Sequence, residues 1–176
     1  AKEASLYGIR FGQPEIDVGK LRSWKESVVG KLTKGLSMLA RQRKVTVIHG
    51  TGKFVNPHLI EVETSDGIKT ISFDHCVIAA GSSAAHIPGL PADERIIDST
   101  GALALAEIPE RMLILGGGII GLEMATVYHA LGTKISIVER MAQLIPGADA
   151  DLIKPLYKKL KTECEAIYLN TSVSRI

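Results

Sequence analysis

The spacing of apolar residues changes several times along the chain, and each change marks an element. From Asp17 to Arg43 the residues Leu21, Trp24, Val28, Leu32, Leu36 and Leu39 recur at helical spacing, with Asp17 placed to cap the start. This predicts one long helix with its apolar stripe in a core. Gly30 and Gly35 each weaken such a helix by roughly 1 kcal/mol relative to alanine, a hint of close packing. Lys44 to His49 (KVTVIH) is a β-branched run that reads as a strand, followed by Gly50-Thr51-Gly52 and Phe54. His58 to Thr64 and Ile68 to Phe73 alternate apolar and polar residues around Ser65-Asp66-Gly67, the pattern of a hairpin. Cys76 to Ala80 (CVIAA) reads as a buried strand ending at Gly81-Ser82-Ser83, and the IPGLP stretch after it cannot continue a sheet interior.

The second half has a different order. Asp98 to Ala106 reads as a short capped helix, and the crossing between two domains falls near residues 98 to 110. Residues 112 to 139 then run MLILGGGIIGLEMATVYHALGTKISIVE. This is a strand (Met112 to Leu115), a glycine turn, a helix (Ile119 to Leu131) closed at Gly132, a second strand (Lys134 to Val138) and a carboxylate. A further helix from about Asp149 to Glu163 leads to a third strand at about Ala166 to Leu169. The expected fold class is therefore α/β, and three strands are too few to complete a doubly wound sheet.

Composition narrows the classes without choosing among them. The 176 residues are 45% hydrophobic and 23% charged, an ordinary globular balance. No apolar run approaches a membrane span and no signal-peptide pattern opens the chain, so a cytoplasmic protein is expected. Cys76 and Cys164 form no CxxC or CxxxxC pair and are expected to be buried free thiols; the five histidines show no metal-ligand spacing. Neither metal nor catalytic residue is assigned. Net charge is +2, but residues 20 to 44 hold eight Lys or Arg against Glu26 alone. That basic face is either simply solvated or a docking surface for an acidic partner, and it lacks the features of nucleic-acid binding.

The chemistry lies in the glycine turn. Gly116 lets the chain leave its strand sharply, Gly118 has no side chain to hold off a pyrophosphate, and Gly121 lets helix and sheet approach. The pyrophosphate would sit on the unpaired N–H groups of the helix N-terminus. Glu139 could accept both hydroxyls of an adenine ribose and would repel the 2′-phosphate of NADP, which favours NAD; Arg140, next along, could neutralise that phosphate.

The ordered segments GIRFGQPEIDVGKLRSWKESVVGKLTKGL, GTGKF, CVIAAGS, DSTGALAL, GGGIIGLEMATVYHALG and IVE together resemble dihydrolipoamide dehydrogenases, of the flavoprotein disulfide reductase family. The resemblance spans essentially the whole chain. It implies a partial FAD-binding domain with a β-meander, residues 1–103, followed by a partial Rossmann-type NAD-binding domain, residues 104–176. By the same resemblance Gly52, Ala80, Gly81 and Ser82 approach FAD, with Ala80 standing where the family usually has Thr. Gly116, Gly117, Gly118, Ile119, Ile120, Gly121, Glu123, Glu139 and Val173 approach NAD. The implied whole enzyme is a homodimer serving 2-oxo acid dehydrogenase complexes through a CxxxxC disulfide and a His base. Since this sequence holds neither, the expectation is an internal fragment, inactive alone and prone to self-association through unpaired strand edges. A non-catalytic NAD-binding module and a piece of another flavoprotein disulfide reductase are the alternatives.

Overall fold

The computed structural model describes residues 3–10, 12 and 14–175. The chain divides into two compact units: Ser23–Ser83, and a second built from the described residues up to Arg22 together with those from Ala84 onward. Among the described residues no helix is long and apolar enough to cross a membrane.

Helix α1 (Val18–Gln42) starts at Asp17, whose Oδ1 accepts the Lys20 N–H at 2.9 Å, as its capping position requires. Apart from Leu21, which packs partly buried against the core of the second unit, to which it belongs, its stripe is not core. No residue of α1 is buried, and Trp24 is 65% exposed, because no described element of its unit covers that face. The meander that follows has three antiparallel strands, β1 (Thr51–Asn56), β2 (Leu59–Thr64) and β3 (Gly67–Ser72), in that spatial order. The hairpin pairing Thr64 with Gly67 matches the alternation in the sequence. The sequence pattern assigns no strand to β1; it forms because Thr51 to Phe54 pair residue by residue with Glu63 to Ile60.

Two expected strands are absent. Lys44 to His49 and Cys76 to Ala80 are not in a sheet, and Val77 is 91% exposed. Cys76 is accordingly exposed, not buried. An apolar run becomes a buried strand only where neighbours pair with both its edges, and among the described residues none does so here.

The other unit holds a parallel sheet, β4-β5-β6. Helix α2 (Ser99–Ala104) is capped by Asp98 and ends at Leu105. It leads through Ile108-Pro109 to β4 (Arg111–Leu115), α3 (Ile119–Ala130), β5 (Lys134–Val138), α4 (Ala150–Glu163) and β6 (Ala166–Tyr168). β5 is central, so alternate residues Ile135 and Ile137 are fully buried. Leu122, Ala125 and Tyr128, one face of α3, join them with Leu144, Ile153 and Leu160. The Tyr128 hydroxyl donates to the Ala102 carbonyl at 2.9 Å, tying α2 to α3. Burial, and then the nearby charge of Glu107, push its pKa up.

Candidate functional site

The site grows out of the end of β4. Gly116 has φ +105°, a conformation that side chains disfavour, and its N–H donates to the Val138 carbonyl at 2.8 Å, carrying the β4–β5 ladder one residue further. The chain can then reverse into α3.

Gly117 is held by both of its backbone polar groups. Its N–H donates to Glu139 Oε2 at 2.7 Å and its carbonyl accepts the Ile145 N–H at 2.8 Å. A Cβ there would lie 2.5 Å from Leu144 Cδ2 and 3.2 Å from Glu139 Cβ, so the fit needs glycine. Gly118 differs. It is the N-cap of α3, with extended backbone and no side-chain capping bond, and a Cβ on it would meet nothing within 4 Å. That side of the turn is open. A Cβ on Gly121 would fall 2.5 Å from the Gly116 carbonyl oxygen and 3.2 Å from Ile114 Cγ2, so this glycine sets the approach of helix to strand.

The donors available to an anion follow from this bonding. The Gly116 and Gly117 N–H groups are already engaged, and the first intrahelical bond runs from Leu122 N–H to the Gly118 carbonyl. The N–H groups of Ile119, Ile120 and Gly121 therefore have no partner within the helix. No acid lies in the first turn of α3, so no side chain of the helix itself offsets the positive end of its dipole.

Glu139 stands at the end of β5 and is only 7% exposed. Its Oε2 takes the Gly117 N–H and its Oε1 takes the Met141 N–H, each at 2.7 Å. A carboxylate oxygen has two lone pairs, so each can still accept a ribose hydroxyl. Its backbone accepts from Thr171 N–H at 3.0 Å and donates to the Tyr168 carbonyl at 2.8 Å. Val173 lies two residues beyond that contact and is exposed, as are Glu123 and Arg140.

Thus the fold brings Gly116 to Gly121 and Glu139 together, and the chain leaving β6 runs alongside. Gly52 and the exposed Ala80-Gly81-Ser82 belong to the other unit. A Cβ on Gly52 would make an ordinary 3.5 Å contact with Ile60 Cγ2, whereas one on Gly50 would clash with the Glu63 carbonyl oxygen. Packing therefore demands glycine at 50 and not at 52. No motif singles out Met141, Leu144 and Ile145, which grip the turn and the acid. Their one visible trace was an apolar Leu-Ile pair just after the acid.

Residues 3–176 match the family described as pyridine nucleotide-disulphide oxidoreductase. The dihydrolipoyl dehydrogenase of Vibrio cholerae is 49% identical over 177 residues, covering 100% of this chain and 37% of that protein. That of Haemophilus influenzae is 45% identical over 178 residues, with the same shares. Among solved structures, the Cu(II) complex of the HOCl-induced flavoprotein disulfide reductase RclA from Escherichia coli superposes with a TM-score of 0.77 at 32% identity. It covers 89% of this chain and 36% of that one. LpdA from Mycobacterium tuberculosis gives a TM-score of 0.81 over 93% of this chain and 37% of that one; at 21% identity this likeness is one of fold alone. The chain spans little more than a third of the length of these curated relatives, 37%. With the open glycine turn and the matching segments on both sides of it, the chain belongs to the pyridine nucleotide-disulphide oxidoreductase family.

Proposed function

We propose that residues 104–176 bind the ADP half of NAD, and that the chain is part of an enzyme that reoxidises dihydrolipoamide with FAD and NAD. The observation that carries this reading is the Glu139 carboxylate, fixed beside the open face of the Gly116 to Gly121 turn. The N–H groups of Ile119, Ile120 and Gly121 would hold the pyrophosphate, and the spare lone pairs of Glu139 the adenine ribose. Glu123 and Val173 would border the rest of the ligand. A negative charge that two backbone N–H groups keep in place also opposes a 2′-phosphate, which favours NAD over NADP.

Residues 1–103 would contribute to the FAD site through the backbones of Gly52 and Ala80-Gly81-Ser82. Glycine at 52, where packing does not demand it, fits a close approach by ligand. This functional division differs from the division by contacts because α2 packs on α3. When bound, FAD would relay electrons from a disulfide centre and NAD would accept them as hydride. Identity of 45% and 49% to dihydrolipoyl dehydrogenases supports that substrate; a cytoplasmic homodimer serving 2-oxo acid dehydrogenase complexes is what the family resemblance implies. The isolated chain would be inactive and self-associating.

Calorimetric titration with NAD, NADP and FAD tests the reading. Binding of NAD in clear preference to NADP is the expected result. Absence of NAD binding, or preference for NADP, would overturn it.

A further inference from the structure

One segment, from Met141 to Ile145, grips the turn. Leu144 is fully buried, and its Cδ2 fills the space that a side chain on Gly117 would need. The next residue, Ile145, donates its N–H to the Gly117 carbonyl at 2.8 Å. It does so at φ +47°, a left-handed conformation unusual for a β-branched residue. Such a conformation persists only where the surroundings enforce it, and here the buried Leu144 and the bond to Gly117 do so. The same segment begins at Met141, whose N–H holds Glu139 Oε1 and whose carbonyl accepts the Asn170 N–H at 3.0 Å.

We propose that Leu144 is a positioning residue for the pyrophosphate turn: it sets the placement of Gly117, and through it the N-terminal donors of α3, without touching the ligand. The proposal rests on the NAD-site reading above. Two parts of that site depend on Leu144 to different degrees. Removing Leu144 side-chain volume lets Gly117 settle into the vacated space, which shifts the donors that follow it in the chain. Glu139 keeps its second anchor, the Met141 N–H, so the ribose acceptor moves less. Pyrophosphate recognition should therefore suffer more than nucleoside recognition.

The test uses the full chain with adenosine and ADP as probes, titrated by ligand-observed NMR. Leu144→Ala is expected to weaken ADP by about tenfold, the scale of loss when a preorganised donor set is misplaced, and adenosine by less than about twofold. Leu144→Met, which nearly conserves volume, should restore ADP binding. If Leu144→Ala does not fold, Leu144→Val supplies the same comparison with a smaller truncation. Equal losses for both ligands, or a lowered melting temperature with unchanged affinities, would overturn the positioning role. If the unsubstituted chain binds no ADP, the NAD-site reading itself fails and this inference goes with it; ADP binding indifferent to Leu144 defeats the inference alone.

Discussion

The position of a Cβ on Gly121 lies 2.5 Å from the carbonyl oxygen of Gly116, five residues earlier. Both groups are main-chain or directly attached to it, so no side-chain rotation relieves the overlap. Gly121→Ala must therefore push α3 away from β4, disturbing the contact with Ile114 as well. Overpacking of this kind costs about 1–3 kcal/mol. The denaturant midpoint in urea should fall accordingly, and NAD affinity with it, since the helix carries the donors. A midpoint equal to that of the unsubstituted chain would mean that helix and strand are not so tightly apposed.

Glu139 has two tasks that Glu139→Gln separates only in part. A carboxylate accepts from Gly117 N–H and Met141 N–H together, whereas a carboxamide offers one oxygen and turns its NH2 toward the other donor. Leaving one buried N–H without an acceptor costs about 1–3 kcal/mol. The expected outcome is lower stability and at least roughly tenfold weaker NAD binding, the latter corresponding to one lost charge-assisted hydrogen bond. NADP binding should not improve in compensation, because the turn itself is disturbed. Improved NADP binding with unchanged melting would show that the carboxylate acts as a charge filter alone.

Much of this site could be read in the sequence because its determinants are local. Gly116 and Gly121 were legible because a turn and a close approach each demand glycine at a fixed offset, and β5 is where the β-branched run placed it, Lys134–Val138. Gly117 was not legible as a buried anchor. Its constraint comes from Leu144 and Glu139, more than twenty residues away, and no local spacing encodes that contact. The errors in the other unit share a cause. Lys44 to His49 and Cys76 to Ala80 have strand composition, and Leu32 and Leu36 have core periodicity, but composition records only fitness for burial. Whether a partner edge or face is present is a separate fact. β1 shows the converse: Thr51 to Asn56 has turn-like glycine content and becomes a strand because β2 supplies the edge.

Tyr128 gives the fold a pH dependence with a definite sign. It is 1% exposed, donates to the Ala102 carbonyl, and has its pKa raised by burial and then by Glu107. A raised folded-state pKa stabilises the fold fully below the ordinary tyrosine value, and this contribution is lost as pH rises through the folded value. Stability should therefore decline above about pH 10, the unperturbed tyrosine range. Tyr128→Phe should cost about 1 kcal/mol near neutrality, since the Ala102 carbonyl keeps the Leu105 N–H as a partner, and should flatten that alkaline decline. Guanidinium unfolding at pH 7 and pH 10.5 measures both effects; an equally steep decline in the variant would assign it to other groups.

The two thiols should differ in reactivity by more than access alone. Cys164 ends α4 half-buried, and burial, then the negative charge of Glu163, raises its pKa. Alkylation proceeds through the thiolate, so both effects slow it. Cys76 is exposed, in a segment outside any sheet. With iodoacetamide at pH 8 and low protein concentration, mass spectrometry of the derived peptides should show Cys76 modified before Cys164. The gap should narrow in urea, where Cys164 loses its surroundings. Faster reaction at Cys164 would contradict the burial assigned to it. Protection of Cys76 that grows with protein concentration would instead support self-association, because a second copy covering residues 76 to 80 is then the simplest source of the missing strand partner.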